Sequence, residues 1–444
     1  MPRRPRIAAV LRHPDQPRTL LLRSDRVWRL PRAVVDEDVW VADAEGVVSA
    51  FEHRLGSRPW LLRQLRFAEG GETKRLDAVV ELELVDRTWA LPEHGRWAGS
   101  GDLDRLRVED FDRQFLSSYL DELQSGVIPE QRPPWARPGW LEEIRSWIGS
   151  ETARLGHTLV SLDQVKHWSI SSVLRVQTDG PTLYLKVPAR LPLFVEEATV
   201  TGRLAERFPG YVPAPLAIEP ERGWLLLPEL DELFPWNAPL GTRTHAFRRF
   251  ADLQRRSAPV TDELLADGCL DRRLNVLEGQ IDPLLDDPGA IAQLAEDEVA
   301  ELRRLAPRLK EQCEQLAALG PPATLVHGDL HLGNVARLNG ELVYFDWTDA
   351  CVSHPFLDLV SLQWERDEQS RAALLSAYLE GWEGAETPER LREAIAIAGV
   401  VTPLHHAVSY RTIVAGLEPS AKRELDETHV FLREALARAK ALDV

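Results

Sequence analysis

The sequence predicts an α/β protein of the α+β kind, with a small α/β domain followed by a two-lobe part whose second lobe is mainly helical. Three observations carry this. Strand-length apolar runs fill the first 125 residues and return between 158 and 230. Helical periodicity dominates from about residue 242 onward, and a single stretch, 320–360, interrupts it with loop and hairpin text. At 444 residues the chain is too long for one ordinary core, so two or three domains are expected.

Residues 1–125 make up the small α/β domain. Its strand-like runs are IAAVL (7–11), TLLLRS (19–24), VWRLPR (27–32), PWLLRQLRF (59–67) and LDAVVELELV (76–85). Between them, AEGVVSAFEHRLG (44–56) places Val47, Val48, Phe51 and Leu55 on one helix face, and Gly56 suits the helix stop. A second helix is expected over 108–124. Residues 126–139, GVIPEQRPPWARPG, carry four prolines and two glycines with no apolar period, which reads as a stiff linker.

The next segment, 140–230, opens with a helix that sets Trp140, Leu141, Ile144, Trp147 and Ile148 on one side. Strands follow over 158–169, 172–178 and 182–189, with Asp179-Gly180 as a hairpin signal between the last two. A helix over 195–207 and two further strands around Glu221-Arg222-Gly223 complete this smaller lobe. Residues 231–444 form the mainly helical lobe.

The formal net charge of −17 is uneven: residues 1–140 hold 22 basic and 23 acidic side chains, the remainder 31 and 47. A phosphate backbone needs a basic face, so nucleic acid is excluded as a partner. The acidic part gives amine substrates a slight edge, although a solubilising surface is the simpler account of it. Three cysteines without a C-x-x-C pair argue against a disulfide framework or a zinc site and fit a cytoplasmic protein. The start MPRRPRIAAVLRHP has too short an apolar run for a signal peptide, and no stretch is long enough to span a membrane. The sequence is silent on oligomeric state.

The strongest chemical signal is LVHGDLHLGNVARLNGELVYFDWTDACVSHPFLDLV, 325–360. Asp329 and Asn334 share a loop, and two short β-like runs joined by Asn339-Gly340 deliver Asp346. Phosphoryl transfer needs this set: one carboxylate to accept the acceptor's hydroxyl proton, and an amide oxygen with a second carboxylate to hold Mg²⁺ on nucleotide phosphates. Gly328 and Gly333 permit a tight loop.

H-G-D-x-x-x-x-N followed by F-D-W and H-P-x-x-D-L resembles the aminoglycoside phosphotransferase and choline kinase group over roughly 140–440. The resemblance implies a protein-kinase-like fold and an ATP- and Mg²⁺-dependent small-molecule kinase that phosphorylates a hydroxyl of an amino sugar, a sugar or an amino alcohol. It implies Asp329 as catalytic base, Asn334 and Asp346 as metal ligands, His327 as a brace and Asp358 as a support for the loop. His331 receives no role. Trp347 stands where protein kinases carry glycine, which points to the small-molecule branch.

Lys is rare, with six in the chain, and Lys186 lies inside the apolar run LYLKVP, where burial is costly without an anion. The kinase-like fold supplies nucleotide phosphates and a helix glutamate, Glu197 or alternatively Glu196. The turn 169–172 would cover the phosphates, and the backbone around Glu229 and Leu230 would meet adenine. On the acceptor side Asp349, His405-His406, Tyr410, Arg411 and the acidic stretch 262–271 stay unassigned. The runner-up expectation is a catalytically inactive kinase-like nucleotide-binding or scaffold protein. Residues 1–125 resemble a Nudix domain in VWRLPR and the helix ending in LG. Arg32 replaces the expected glycine, and His53 and Arg54 stand where acids are needed, which implies a domain without pyrophosphate hydrolysis.

Overall fold

The structure, a computed structural model, describes residues 6–35, 42–66, 69–70, 75–76, 78–384, 386–422 and 425–442. Residues 1–5 of the basic start, Phe67 and Asp77 of two expected strands, and Lys74 lie outside the described residues. The chain divides into two compact units, one of Met1–Ala189 with Leu417–Glu424, the other of Arg190–Gly416 with Leu425–Val444.

In the first unit a mixed four-stranded sheet runs in the order Arg32–Val34, Arg6–Leu11, Ala78–Leu84, Pro59–Arg66. Alternation along its strands sorts the side chains to two faces. Ile7, Ala9 and Leu11 pack with Val47, Val48 and Phe51 of the helix Ala44–Leu55. Ala8 and Val10 pack with Leu116, Tyr119 and Leu120 of the helix Asp110–Ser125. Gly56 ends the first helix in the left-handed region, its N–H donating to the Glu52 carbonyl at 2.8 Å. Arg32 is ion-paired with Glu109 at 3.0 Å and Asp112 at 3.1 Å.

The proline-rich stretch lies in this unit with Arg132, Trp135 and Ala136 buried. Glu418, from far along the chain, joins it there. Arg63 donates to Glu81 at 2.6 Å, Glu122 at 2.6 Å and Glu418 at 3.0 Å, and Arg132 bonds the last two as well. A buried guanidinium is tolerable only with such a full set of acceptors. The helix Trp140–Arg154 and the antiparallel strands Leu159–His167, Ser171–Thr178 and Leu183–Pro188 complete the unit.

The second unit holds the helix Glu197–Arg207, the antiparallel pair Ala217–Glu219 and Trp224–Pro228, and a large helical body around one continuous core. Leu240–Ser257 packs on Glu368–Glu380, Glu296–Leu319 on Leu274–Asp286, and Pro388–Gly416 on Thr428–Ala441. Two small sheets break the helices. One pairs Thr324–Val326 with Cys351–Ser353, the other Val335–Leu338 with Glu341–Tyr344. Asn339 and Gly340 have φ of +52° and +82°, the doubly left-handed turn that a two-residue hairpin requires. All three cysteines are free and buried. Among the described residues no helix is long and apolar enough to cross a membrane.

Candidate phosphotransfer site

The loop after Thr324–Val326 and the loop before Cys351–Ser353 lie side by side, because Val326 pairs with Cys351. Gly328 is at the point of closest approach. Its φ is +83°, and a Cβ there would sit 2.6 Å from the Cβ of Asp349. Gly328→Ala therefore meets both a left-handed backbone and a backbone-anchored clash, together at least about 2 kcal/mol. The expected result is a melting temperature several degrees lower and loss of most turnover, read by thermal denaturation and steady-state kinetics.

Beneath this loop sits Asp358, 1% exposed. Its carboxylate accepts from the N–H groups of His327 and Gly328, both at 2.9 Å, and from Gln254 Nε2 at 2.8 Å. Tyr378 donates its hydroxyl to the other end of the Gln254 amide. Burial pushes the Asp358 carboxyl up to about 7 against the opposing pull of the two backbone donors. His327 links the loop to its neighbour. Nε2 lies 3.0 Å from the Phe345 carbonyl and so carries the proton, and Nδ1 faces the Asp329 N–H at 3.4 Å. Burial holds this imidazole below its usual pKa, hence neutral.

Asp329 is held by one oxygen and open at the other. Oδ2 accepts from Asn334 Nδ2 at 3.2 Å and lies 3.4 Å from His331 Nε2. Oδ1 has no partner among the described residues, and the side chain is 52% exposed. Desolvation raises this carboxyl, but the hydrogen bond from His331 outweighs it and leaves the pKa below the ordinary value. Asn334 also donates Nδ2 to the Asp329 carbonyl at 2.9 Å, which leaves Oδ1 as its oxygen for a cation.

The hairpin returns the chain so that the Phe345 N–H bonds the Asn334 carbonyl at 3.1 Å, and Asp346 follows. Asp346 has φ +67°, an uncommon conformation that its surroundings must enforce. Glu197 provides the enforcement. It is 1% exposed, and it accepts from the Trp347 N–H at 3.1 Å and the Thr348 hydroxyl at 3.1 Å. The same hydroxyl reaches Asp346 Oδ1 at 3.0 Å, so one proton serves two carboxylates by turns. Glu196 caps its own helix by accepting from the Thr199 N–H at 2.8 Å, which separates the two candidate glutamates.

His331, given no role from the sequence, stacks on the half-exposed indole of Trp236 with ring centroids 4.0 Å apart. Beside the pair opens a cavity of about 420 Å³, lined among others by Arg243, Ser361, Trp364 and Glu365. Three buried atoms in its wall, His331 Nδ1, Arg243 Nε and Ser361 Oγ, have no hydrogen-bond partner among the described residues. Thr348 and Trp236 were also missed. The only signals for them were a hydroxyl two residues after Asp346 and a tryptophan in an otherwise polar turn.

The structure thus brings Asp329, Asn334, Asp346 and Glu197 together. Glu229 and Leu230 lie just past the strand Trp224–Pro228, and Glu232–Leu233 then pairs with the hairpin strand Val335–Leu338. Lys186 belongs to the first unit, 8% exposed, opposite Val173 in its sheet. In the turn 169–172 the Ser171 and Ser172 hydroxyls are engaged by Trp168 and His167. His405 and His406 are buried in the helix Pro388–Gly416, and Arg411 forks Asp287. Among the described residues no cluster of three His, Cys, Asp or Glu could hold a metal. One carboxylate with one amide oxygen is still a sufficient donor set for Mg²⁺, which keeps most of its shell as water and phosphate oxygen.

A braced Asp loop, a hairpin and a second Asp in a helical body define a protein-kinase-like phosphotransferase fold. The model of the phosphotransferase enzyme family matches residues 162–394, and the chain belongs to that family. No curated protein matches the chain. Among solved structures it is similar to macrolide 2'-phosphotransferase type I, at 19% identity over 66% of this chain and 96% of that one, TM-score 0.45. It is also similar to a choline/ethanolamine kinase family protein from Mesorhizobium loti, at 18% over 68% and 94%, TM-score 0.48. A third is choline kinase from Streptococcus pneumoniae, at 14% over 67% and 99%, TM-score 0.47.

Proposed function

We propose that this enzyme transfers the γ-phosphoryl group of ATP, as its Mg²⁺ complex, to a hydroxyl of a small molecule, an amino sugar, a sugar or an amino alcohol. The observation that carries the reading is the split environment of Asp329, anchored through Oδ2 by Asn334 and His331 and open at Oδ1. Oδ1 accepts the hydroxyl proton as the acceptor oxygen bonds phosphorus and the bond to ADP breaks. The proton then leaves to solvent. Asn334 Oδ1 and Asp346 are the residues that would hold Mg²⁺, which when bound neutralises phosphate charge. Glu197 and Thr348 fix the backbone that carries Asp346. By the family pattern Lys186 is assigned to the phosphates, and the backbone at Glu229 and Leu230 to adenine.

The cavity beside His331 is assigned to the acceptor. Its volume falls in the range of small-molecule sites, and its unpartnered Arg243, His331 and Ser361 atoms give a polar ligand something to bond. The test is ADP release from Mg·ATP across a panel of amino sugars, sugars and amino alcohols, with mass spectrometry of the products. One class giving acceptor-dependent ADP and a product heavier by one phosphate is the expected result. ADP release that no acceptor stimulates would leave only a hydrolytic or binding activity.

A further inference from the structure

The chemistry above gives the N-terminal domain no task, yet within the first unit that domain is wired to one particular turn. The strand Leu159–His167 is the junction. The His167 N–H donates to the Ala42 carbonyl at 2.8 Å. The Leu61 N–H donates to Gln164 Oε1 and Gln164 Nε2 donates to the Leu61 carbonyl, at 2.8 Å each. Leu61 and Leu62 belong to the domain's own strand Pro59–Arg66.

His167 continues this connection. The ring is 1% exposed, and Nε2 lies 2.9 Å from the Leu62 carbonyl. A carbonyl only accepts, so Nε2 carries the proton. Burial depresses the ring to about 4, so it is neutral and Nδ1 is an acceptor. Nδ1 lies 3.0 Å from the Ser172 hydroxyl and 3.0 Å from Gln164 Nε2. Ser172, itself fully buried, therefore donates to His167, which donates to the domain's backbone. A second line runs beside the first. Trp135, buried in the proline-rich stretch, donates Nε1 to the Trp168 carbonyl at 2.9 Å, and Trp168 donates Nε1 to Ser171 Oγ at 2.9 Å.

The turn between these strands contains no glycine and reads Trp168-Ser169-Ile170-Ser171. Its hydroxyls at 171 and 172 are engaged by Trp168 and His167, so hydrogen bonds that run back to the domain's backbone and to the proline-rich stretch fix its shape. We propose that His167 is a positioning residue through which the N-terminal domain sets the conformation of this turn and, with it, the affinity for nucleotide. This rests on the phosphotransferase reading, in which the turn covers the phosphates of ATP.

Calorimetric titration of the full chain with Mg·ATP tests it, alongside melting temperatures without nucleotide. Ser172→Ala removes one hydroxyl from a strand position and should weaken Mg·ATP about tenfold with little change in melting temperature. His167→Ala should weaken it at least as much. His167→Gln keeps a donor for Leu62 and an acceptor for Ser172, and should recover most of the loss. Unchanged affinity in Ser172→Ala and His167→Ala, with the wild type binding normally, overturns the proposal and leaves the phosphotransferase reading intact. A loss seen only in variants whose nucleotide-free melting temperature collapses also overturns it. If His167→Ala does not fold, Ser172→Ala decides alone. A wild type that binds no nucleotide overturns both the proposal and the reading beneath it.

Discussion

Asp329→Asn lowers kcat by on the order of a thousandfold while Mg·ATP affinity stays within about threefold of the wild type. The substitution keeps the shape of the side chain and an oxygen for the Asn334 amide, and removes the basic lone pair at the open position. A thousandfold in rate corresponds to about 4 kcal/mol of transition-state stabilisation. Because the hydrogen bond from His331 holds the Asp329 carboxyl below its usual pKa, the wild-type enzyme keeps this base ionised at neutral pH. Its acid limb in kcat/KM should accordingly fall below the ordinary aspartate range. Steady-state kinetics with the best acceptor, together with nucleotide titration, separates the two effects. Normal turnover in the variant would remove Asp329 from the chemistry.

Asp346→Ala acts earlier, on binding. Removing a carboxylate that meets the metal should cost Mg·ATP at least about a hundredfold in affinity, about 2.7 kcal/mol. The fold should survive, because Thr348 can still bond Glu197 and the Trp347 N–H is untouched. Alanine at φ +67° does carry a backbone penalty of about 1 kcal/mol. Asp346→Asn avoids most of that penalty, since asparagine tolerates the left-handed region, while still removing the charge. Equal losses of affinity in both variants assign the effect to the carboxylate. A loss in the alanine variant alone assigns it to the backbone.

Much of this site was legible because it is local. A two-residue Asn-Gly turn fixes a hairpin, and a hairpin fixes what stands on either side of it, so the spacing of Asp329, Asn334 and Asp346 already implied their meeting. The strand at 7–11 was legible for the same reason. Between Glu197 and Glu196 only a preference for the former was legible, because both open the same helix; the capping bond of Glu196 to Thr199 and the bonds of Glu197 to Trp347 and Thr348 separate them. His331 was given no role because its partner is Trp236, nearly a hundred residues away.

The proline-rich stretch reads as spacer text, yet it buries Arg132 and Trp135 against partners remote in sequence. Glu418 joins the first unit through an ion-pair network that no periodicity announces. The histidine pair at 405 and 406, left unassigned from the sequence, is core, with His406 stacked on Phe431. In each case a long-range contact decided what a short window could not.

Whether the Asp346 site binds nucleotide at all is the most direct question. Thermal shift of the full chain with ATP, with and without Mg²⁺, for the wild type and Asp346→Ala, answers it. A ligand that binds only the folded state at a hundred times its Kd adds about 2.7 kcal/mol, which a melting curve resolves. The expected result is a Mg²⁺-dependent rise in the wild type that Asp346→Ala lacks. No rise at millimolar Mg·ATP, repeated with GTP, would contradict the proposed activity and leave a kinase-like scaffold in its place.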